Sequence, residues 1–413
     1  MLKHERFDDD TRGVSAQPES PAPATIVVVD DSATQRRFIR AALSTDPTLE
    51  VVGEARTGRD AVALVERLRP TAVLMDLHLP VMDGIQAIEQ IMATRPTPIV
   101  VYSSFVDGVD RANAASAYAA GAVDVIAKPG PHDSGRLEAY AEVLRARLKV
   151  AGKVRVISHP RGRLGMSGSA LTTLRLGAAG TKGGGHAKAT EHPERVVTRD
   201  LTSIVTRSLD SFEHRQVKVL AIGASTGGPQ ALATLLSGLS PETEAAIVVV
   251  QHMADGFMEG LATWLDDVCP LPVALGVNGK RMVPGTVTIA PSGLNLVVHD
   301  RLRITTHPPV SGQFHVPGID ATFKSVAEAY GSTAVGVLLT GMGRDGALGL
   351  KRMRDVGALT LGQDESTSAV YGMPAAAMSA DAVDIQLPLP EICSAVYRLL
   401  ETGSPVGGTG GHS

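Results

Sequence analysis

Two blocks of this chain alternate short apolar runs with amphipathic stretches, and that rhythm constrains its fold more than any other feature. In the first block, 24–150, the apolar runs lie at 26–29, 49–52, 72–75, 99–102 and 123–126. Helical patterns at 33–44, 58–69, 84–94, 108–120 and 135–150 follow them. Strands that each lead into a crossover helix build a parallel sheet with helices on both faces, so a doubly wound five-stranded domain is expected. The second block, 217–402, resumes the alternation, with runs near 217–222, 246–250, 286–290, 294–298, 334–339 and 358–362. It predicts a second doubly wound, mostly parallel α/β domain.

The 151–216 stretch between the blocks breaks the rhythm. From Ala151 to Thr190 it carries Lys153, Arg155, Arg161, Arg163, Arg175, Lys182 and Lys188, no acidic residue, and mostly Gly, Ser and Ala otherwise. Such a composition buries too little apolar surface to fold alone and reads as a flexible basic linker. Residues 1–23 and 403–413 read as loose tails. With 413 residues and a net charge of −4, the chain offers no overall electrostatic footprint for nucleic acid or an anionic membrane. No apolar stretch approaches the ~18–20 residues of a spanning helix, so no membrane insertion is expected. Two cysteines, Cys269 and Cys393, have neither disulfide nor metal spacing, which fits a reducing cytoplasmic setting.

Chemistry-bearing residues collect where strands end. Asp30 and Asp31 follow the first run, Asp76 the third, Ser103 the fourth and Lys128 the fifth. In a doubly wound sheet these ends share the ligand-binding edge. Three carboxylates there repel one another unless a hard cation joins them, and oxygen-only ligation suits Mg²⁺. A lone strand-end aspartate is more often a helix cap, but here the whole set has to be explained together.

The loop Asp76-Leu77-His78-Leu79-Pro80-Val81-Met82-Asp83-Gly84, with the acidic pair, the hydroxyl and Lys128-Pro129 in the same order, resembles the flavodoxin-like receiver domain of bacterial response regulators. That resemblance implies Asp76 as the phosphoacceptor for a histidine kinase, Asp30, Asp31 and Asp76 as Mg²⁺ ligands, and Ser103 and Lys128 as contacts of the phosphoryl group. Receivers usually carry an aromatic residue two or three positions before the lysine. Val125 and Ile126 stand there instead, which puts an aromatic-rotamer switch in doubt for this chain.

In the second block the run 217–222 leads into Gly223-Ala224-Ser225-Thr226-Gly227-Gly228-Pro229. This has the G-x-S-x-G spacing of a nucleophile elbow, although a Gly-rich strand-to-helix turn is more often a phosphate or dinucleotide cradle. A serine nucleophile needs a base and an orienting carboxylate. His252, in Gln251-His252-Met253, follows the next run, and Asp345 lies in Thr340-Gly341-Met342-Gly343-Arg344-Asp345-Gly346 after a later one. Each has a plainer alternative, a loop histidine and a helix N-cap. The order Ser, His, Asp differs from that of α/β-hydrolases.

These segments, with Pro317-Gly318-Ile319-Asp320, are similar to the catalytic domain of the chemoreceptor protein-glutamate methylesterases of CheB type, and the receiver in front matches their domain order. The resemblance implies a triad of Ser225, His252 and Asp345, an oxyanion hole of backbone N–H groups near Thr226 and Met342, and no cofactor for the ester chemistry. It implies methylated chemoreceptors as substrates, glutamine deamidation as a second activity, and an active site blocked by the unphosphorylated receiver. The long linker weakens such blocking by lowering the effective concentration of the receiver. His315-Val316-Pro317-Gly318-Ile319-Asp320 departs from the commoner His-Arg-Pro-Ser-Val-Asp in lacking the arginine and serine. Two other outputs for a receiver, a catalytically silent adaptor and a DNA-binding domain, are opposed by the complete triad set and by the lack of a compact basic helix-turn-helix.

Overall fold

The structure, a computed structural model, describes residues 22–103, 109–129, 137–154, 216–254, 256–313 and 315–401. Both tails and almost all of the expected linker lie outside the described residues.

The first domain has five strands, β1 (Ala24–Val29), β2 (Leu49–Ala55), β3 (Ala72–Met75), β4 (Ile99–Ser103) and β5 (Asp124–Ala127). They form one parallel sheet in the order β2-β1-β3-β4-β5. Helices α1 (Ala33–Ser44), α2 (Gly58–Leu68), α3 (Gly84–Thr94), α4 (Val109–Ala120) and α5 (Leu137–Ala151) follow the strands in turn. Strands β1, β3, β4 and β5 are buried along most of their length, as their nearly continuous apolar content requires, whereas the edge strand β2 is mostly half-exposed. Helix starts are capped by other residues than the candidate ligands. The Ser32 hydroxyl accepts from the Gln35 N–H, and Asp83 Oδ1 from the Gln86 N–H at 2.8 Å, which leaves Asp30, Asp31 and Asp76 clear of that duty.

The second domain is built on a seven-stranded, fully parallel sheet. Its strands are β6 (Val219–Ala224), β7 (Ala246–Gln251), β8 (Val273–Leu275), β9 (Val287–Ile289), β12 (Ala334–Leu338), β13 (Leu359–Gln363) and β14 (Ile385–Leu387). They run in the order β14-β13-β12-β6-β7-β9-β8. Helices α6 (Gly228–Ser237), α7 (Met258–Val268) and α11 (Leu389–Glu401) pack on one face through Leu232, Leu265 and Val396. Helices α8 (Ile319–Tyr330), α9 (Ala347–Asp355) and α10 (Met373–Ser379) cover the other through Phe323, Leu350 and Met373.

One expected strand belongs elsewhere. The run near 294–298 becomes β10 (Asn295–Val298), which pairs antiparallel with β11 (Ile304–His307) in a separate two-stranded ribbon. The short connection between them rules out a parallel crossover and sets the two strands antiparallel.

The two domains are in contact. Tyr118 of α4 stacks on Trp264 of α7 with ring centroids 6.1 Å apart, and the Gln230 amide donates to the Tyr118 carbonyl at 2.5 Å. Arg147 of α5 reaches into the second domain beside Ser225. The β12-β6-β7 trio places three strand ends side by side, and the catalytic candidates stand there.

Candidate active site and phosphoacceptor pocket

Ser225 directly follows β6, His252 directly follows β7, and Asp345 lies in the loop after β12. The sheet thus brings all three candidates to one edge. Backbone bonds pin them: the Ser225 N–H donates to the Thr340 carbonyl at 3.0 Å, and the His252 N–H to the Ala224 carbonyl at 3.0 Å. The elbow depends on its glycines. Gly227 has φ +74°, and a Cβ there would lie 2.4 Å from the Ala369 Cβ, while one on Gly228 would lie 2.1 Å from Gln251 Oε1.

His252 is 5% exposed, and its Nε2 lies 2.8 Å from Asp345 Oδ2. The other ring nitrogen, Nδ1, is buried and has no hydrogen-bond partner. This arrangement fixes the tautomer. Nε2–H donates to Asp345, and the Nδ1 lone pair remains free to take a proton. The Ser225 hydroxyl is therefore not bonded to Nδ1 in this conformation, a looseness common in sites without substrate.

Asp345 does cap a helix, though not the one that follows it. Its Oδ2 accepts the Ile319 N–H at 2.8 Å and its Oδ1 the Asp320 N–H at 3.0 Å, at the start of α8; Oδ1 also accepts the Gly346 N–H at 2.9 Å. Burial pushes its carboxyl upward, but His252 and these N–H groups outweigh it and hold Asp345 below the ordinary carboxylate range. The orienting group therefore stays ionised.

Among the described residues, neither the Thr226 nor the Met342 N–H donates to another group, so both remain available for an oxyanion. Thr340 braces this corner: its hydroxyl donates to the Thr226 carbonyl at 3.0 Å, and its N–H to Gln363 Oε1 at 2.7 Å.

Two residues escape sequence reasoning. The buried Gln251 amide donates to both the Ser225 and His252 carbonyls, each at 2.8 Å, tying the nucleophile turn to the base turn. Its sequence signal is slight, a polar residue closing an apolar strand. Arg147 has no local signal at all. Its guanidinium donates to Thr226 Oγ1 at 2.7 Å and pairs with Asp124 Oδ2 at 2.9 Å, so a receiver side chain sits next to the candidate nucleophile Ser225.

At the receiver edge, ligand atoms of Asp30, Asp31 and Asp76 lie within 4.8 Å of one another. Lys128 Nζ lies 2.6 Å from Asp76 Oδ2 and 2.7 Å from Asp30 Oδ2. Burial pushes the Asp76 carboxyl up; Lys128 opposes this, and the charge of Asp30 adds to it. Asp30 Oδ2, close to Lys128 but with no aligned N–H, and Ser103 Oγ are buried without a hydrogen-bond partner. Orphaned oxygens around clustered carboxylates are the donor set that a hard divalent cation and an incoming phosphoryl group satisfy. Tyr102, next to Ser103, lies under Lys128 with Nζ 5.7 Å from its ring centre, whereas Val125 and Ile126 border the cleft between the domains.

Comparison with known proteins gives this geometry a family. The "CheB methylesterase" family model matches residues 220–396, and the "Response regulator receiver domain" model matches 26–140. The protein-glutamate methylesterase/protein-glutamine glutaminase 2 of Anaeromyxobacter dehalogenans is 39% identical, with 91% of this chain and 97% of that protein covered. The chain belongs to the CheB methylesterase family. Two further relatives of the same designation are protein 4 of Geobacter metallireducens and protein 3 of Paramagnetospirillum magneticum, each 36% identical. The matches cover 98% and 97% of those proteins, and 91% and 93% of this chain. Within the family's two-domain plan, every candidate named above falls inside a matched segment except Arg147 of α5. Among the described residues no helix is long and apolar enough to cross a membrane.

Proposed function

We propose that this CheB-family chain is a phosphorylation-activated serine esterase of the cytoplasm that hydrolyses glutamate methyl esters on chemoreceptors and deamidates receptor glutamines. The observation that carries the reading is the convergence of Ser225, His252 and Asp345 on three adjacent strand ends, with His252 bonded to an ionised Asp345 at 2.8 Å.

In the reaction His252 Nδ1 takes the Ser225 proton as Oγ attacks the ester carbonyl, and Asp345 stabilises the resulting imidazolium. The tetrahedral oxyanion is held by the Thr226 and Met342 N–H groups. The imidazolium returns its proton to the departing methoxide, and methanol leaves. Water then attacks the acyl-serine with His252 again as base, freeing the glutamate carboxylate and the serine. With a glutamine side chain the same steps release ammonia.

Asp76 is the phosphoacceptor for a chemotaxis-type histidine kinase. Asp30, Asp31 and Asp76 would hold Mg²⁺, which when bound offsets the negative charge gathered there. Ser103 and Lys128 are placed to take phosphoryl oxygens. In the unphosphorylated chain Arg147 bonds to Thr226, the residue after Ser225, and that contact supports a receiver that restrains the esterase.

Methanol release from membranes bearing methylated receptor, with and without acetyl phosphate, tests the reading. The parent releases methanol and does so faster with the phosphodonor, while Ser225→Ala releases none above background. A Ser225→Ala chain as fast as the parent overturns it.

A further inference from the structure

His315 takes no part in the chemistry above, yet its ring lies flat against that of His252, with centroids 4.5 Å apart and planes 10° from parallel. His315 is exposed and His252 buried, so one imidazole covers the face of the other. His315 also borders two cavities: a groove of about 890 Å³ running past Asp345, and a smaller cleft of about 210 Å³ that it lines together with His252, Arg147 and receiver residues.

We propose that His315 is a positioning residue, which holds the ring plane of His252 and stabilises the imidazolium formed when His252 takes the serine proton. The inference rests on the reading of Ser225 as nucleophile and His252 as base. Its physical core is the difference between two states. In the resting enzyme two neutral rings stack, with ordinary dispersion contact. In the transition state His252 carries a positive charge, and a neutral aromatic face attracts a cation more strongly than it attracts a neutral ring. An interaction that strengthens on the way to the transition state raises kcat and leaves KM almost untouched.

This requires a neutral His315. Although part of the ring meets solvent, desolvation by the packed neighbours lowers its pKa below the ordinary histidine value, and His252 beside it lowers it further. Arg147, across the cleft, acts in the same direction, and Asp345 opposes it. Arg344 and Lys324, together with Asp320, line the adjoining groove. The carboxylate in contact with the pair faces His252 rather than His315, so positive charge settles on the base and the covering ring stays neutral.

Two substitutions in the full chain, assayed with acetyl phosphate present, separate this role from others. His315→Ala removes the ring; His315→Phe keeps an aromatic face that cannot be charged. For receptor demethylation, kcat falls about tenfold in His315→Ala with KM within about twofold, and His315→Phe recovers most of the loss. A loss confined to KM, an unchanged kcat in His315→Ala, or a Phe variant no better than the Ala variant overturns the proposal. A second readout needs no receptor: the rate at which phenylmethylsulfonyl fluoride labels Ser225, followed by mass spectrometry. Labelling in the order parent, Phe, then Ala supports the His315 role even if the parent fails to demethylate receptors, which would sink only the substrate assignment. Equal labelling rates in all three chains sink the His315 role.

Discussion

Replacing Arg147 by alanine should raise the basal esterase rate. Arg147 donates to Thr226 Oγ1 at 2.7 Å and is anchored from behind by Asp124 at 2.9 Å, with its side chain 19% exposed. A charge-assisted hydrogen bond of this kind contributes about 1.5–3 kcal/mol, and partial exposure favours the lower end. Loss of about 1.5 kcal/mol shifts the balance between closed and open chains roughly tenfold. If closed chains dominate at rest, methanol release without phosphodonor rises by about that factor, and stimulation by acetyl phosphate shrinks correspondingly. The Tyr118–Trp264 stack and the Gln230 bond survive the change, so the domains should not separate fully. Thr226→Val keeps the backbone N–H and the branched shape while removing the acceptor, which allows a double-mutant cycle with Arg147→Ala. Coupling near 1.5 kcal/mol in basal rate is the expected outcome. Asp124, left without its cation in Arg147→Ala, will also lower receiver stability by about 1 kcal/mol, so thermal melts accompany the kinetics, and Asp124→Asn in the same chain removes that side effect. A correctly folded Arg147→Ala chain with basal activity at or below the parent's would refute the reasoning.

Two further outcomes follow from the same geometry. Asp76→Asn keeps the shape of the pocket but cannot accept a phosphoryl group. Its chain should show parent-like basal methanol release and no response to acetyl phosphate, and normal stimulation would contradict the phosphoacceptor assignment. Asp345→Asn should reduce kcat about 10³-fold or more, because the amide cannot hold His252 in the tautomer that leaves Nδ1 free. It also carries a pH signature. The Asp345 pKa is depressed in the folded chain, so its stabilising effect is fully present above the ordinary value of 3.8 and is lost as pH falls through the depressed one. The gap in urea midpoint between parent and Asp345→Asn should be widest near neutrality and close below pH 3.8; a gap that widens in acid would count against this electrostatic account.

Much of the architecture was legible because it rests on periodicity and on strand ends. The five receiver strands and their helices lie within a few residues of the expected ranges, since short apolar runs alternating regularly with amphipathic stretches leave few alternatives. Strands β8, β11 and β14 fall outside the expected runs; each has three or four residues and is flanked or interrupted by proline or polar residues. The run at 294–298 is extended as expected but pairs outside the main sheet, because pairing partners are not encoded in one strand's own pattern. The alternative role for Asp345 was half right, since it caps α8, reached only across the fold.

From sequence alone came the residue types and their order along the chain: a carboxylate cluster with a hydroxyl and a lysine, then a serine, a histidine and an aspartate, each set after a strand. Backbone connectivity in a parallel sheet sends all strand ends to one edge, so local pattern already implied two sites. Tertiary structure alone decided which atoms meet. That His252 presents Nε2 to Asp345, that Gln251 ties the two turns together, and that Arg147 and His315 lie beside His252 all depend on side chains brought together across long separations in the chain. Such contacts leave no local period or spacing, because packing in three dimensions rather than chain neighbourhood sets them.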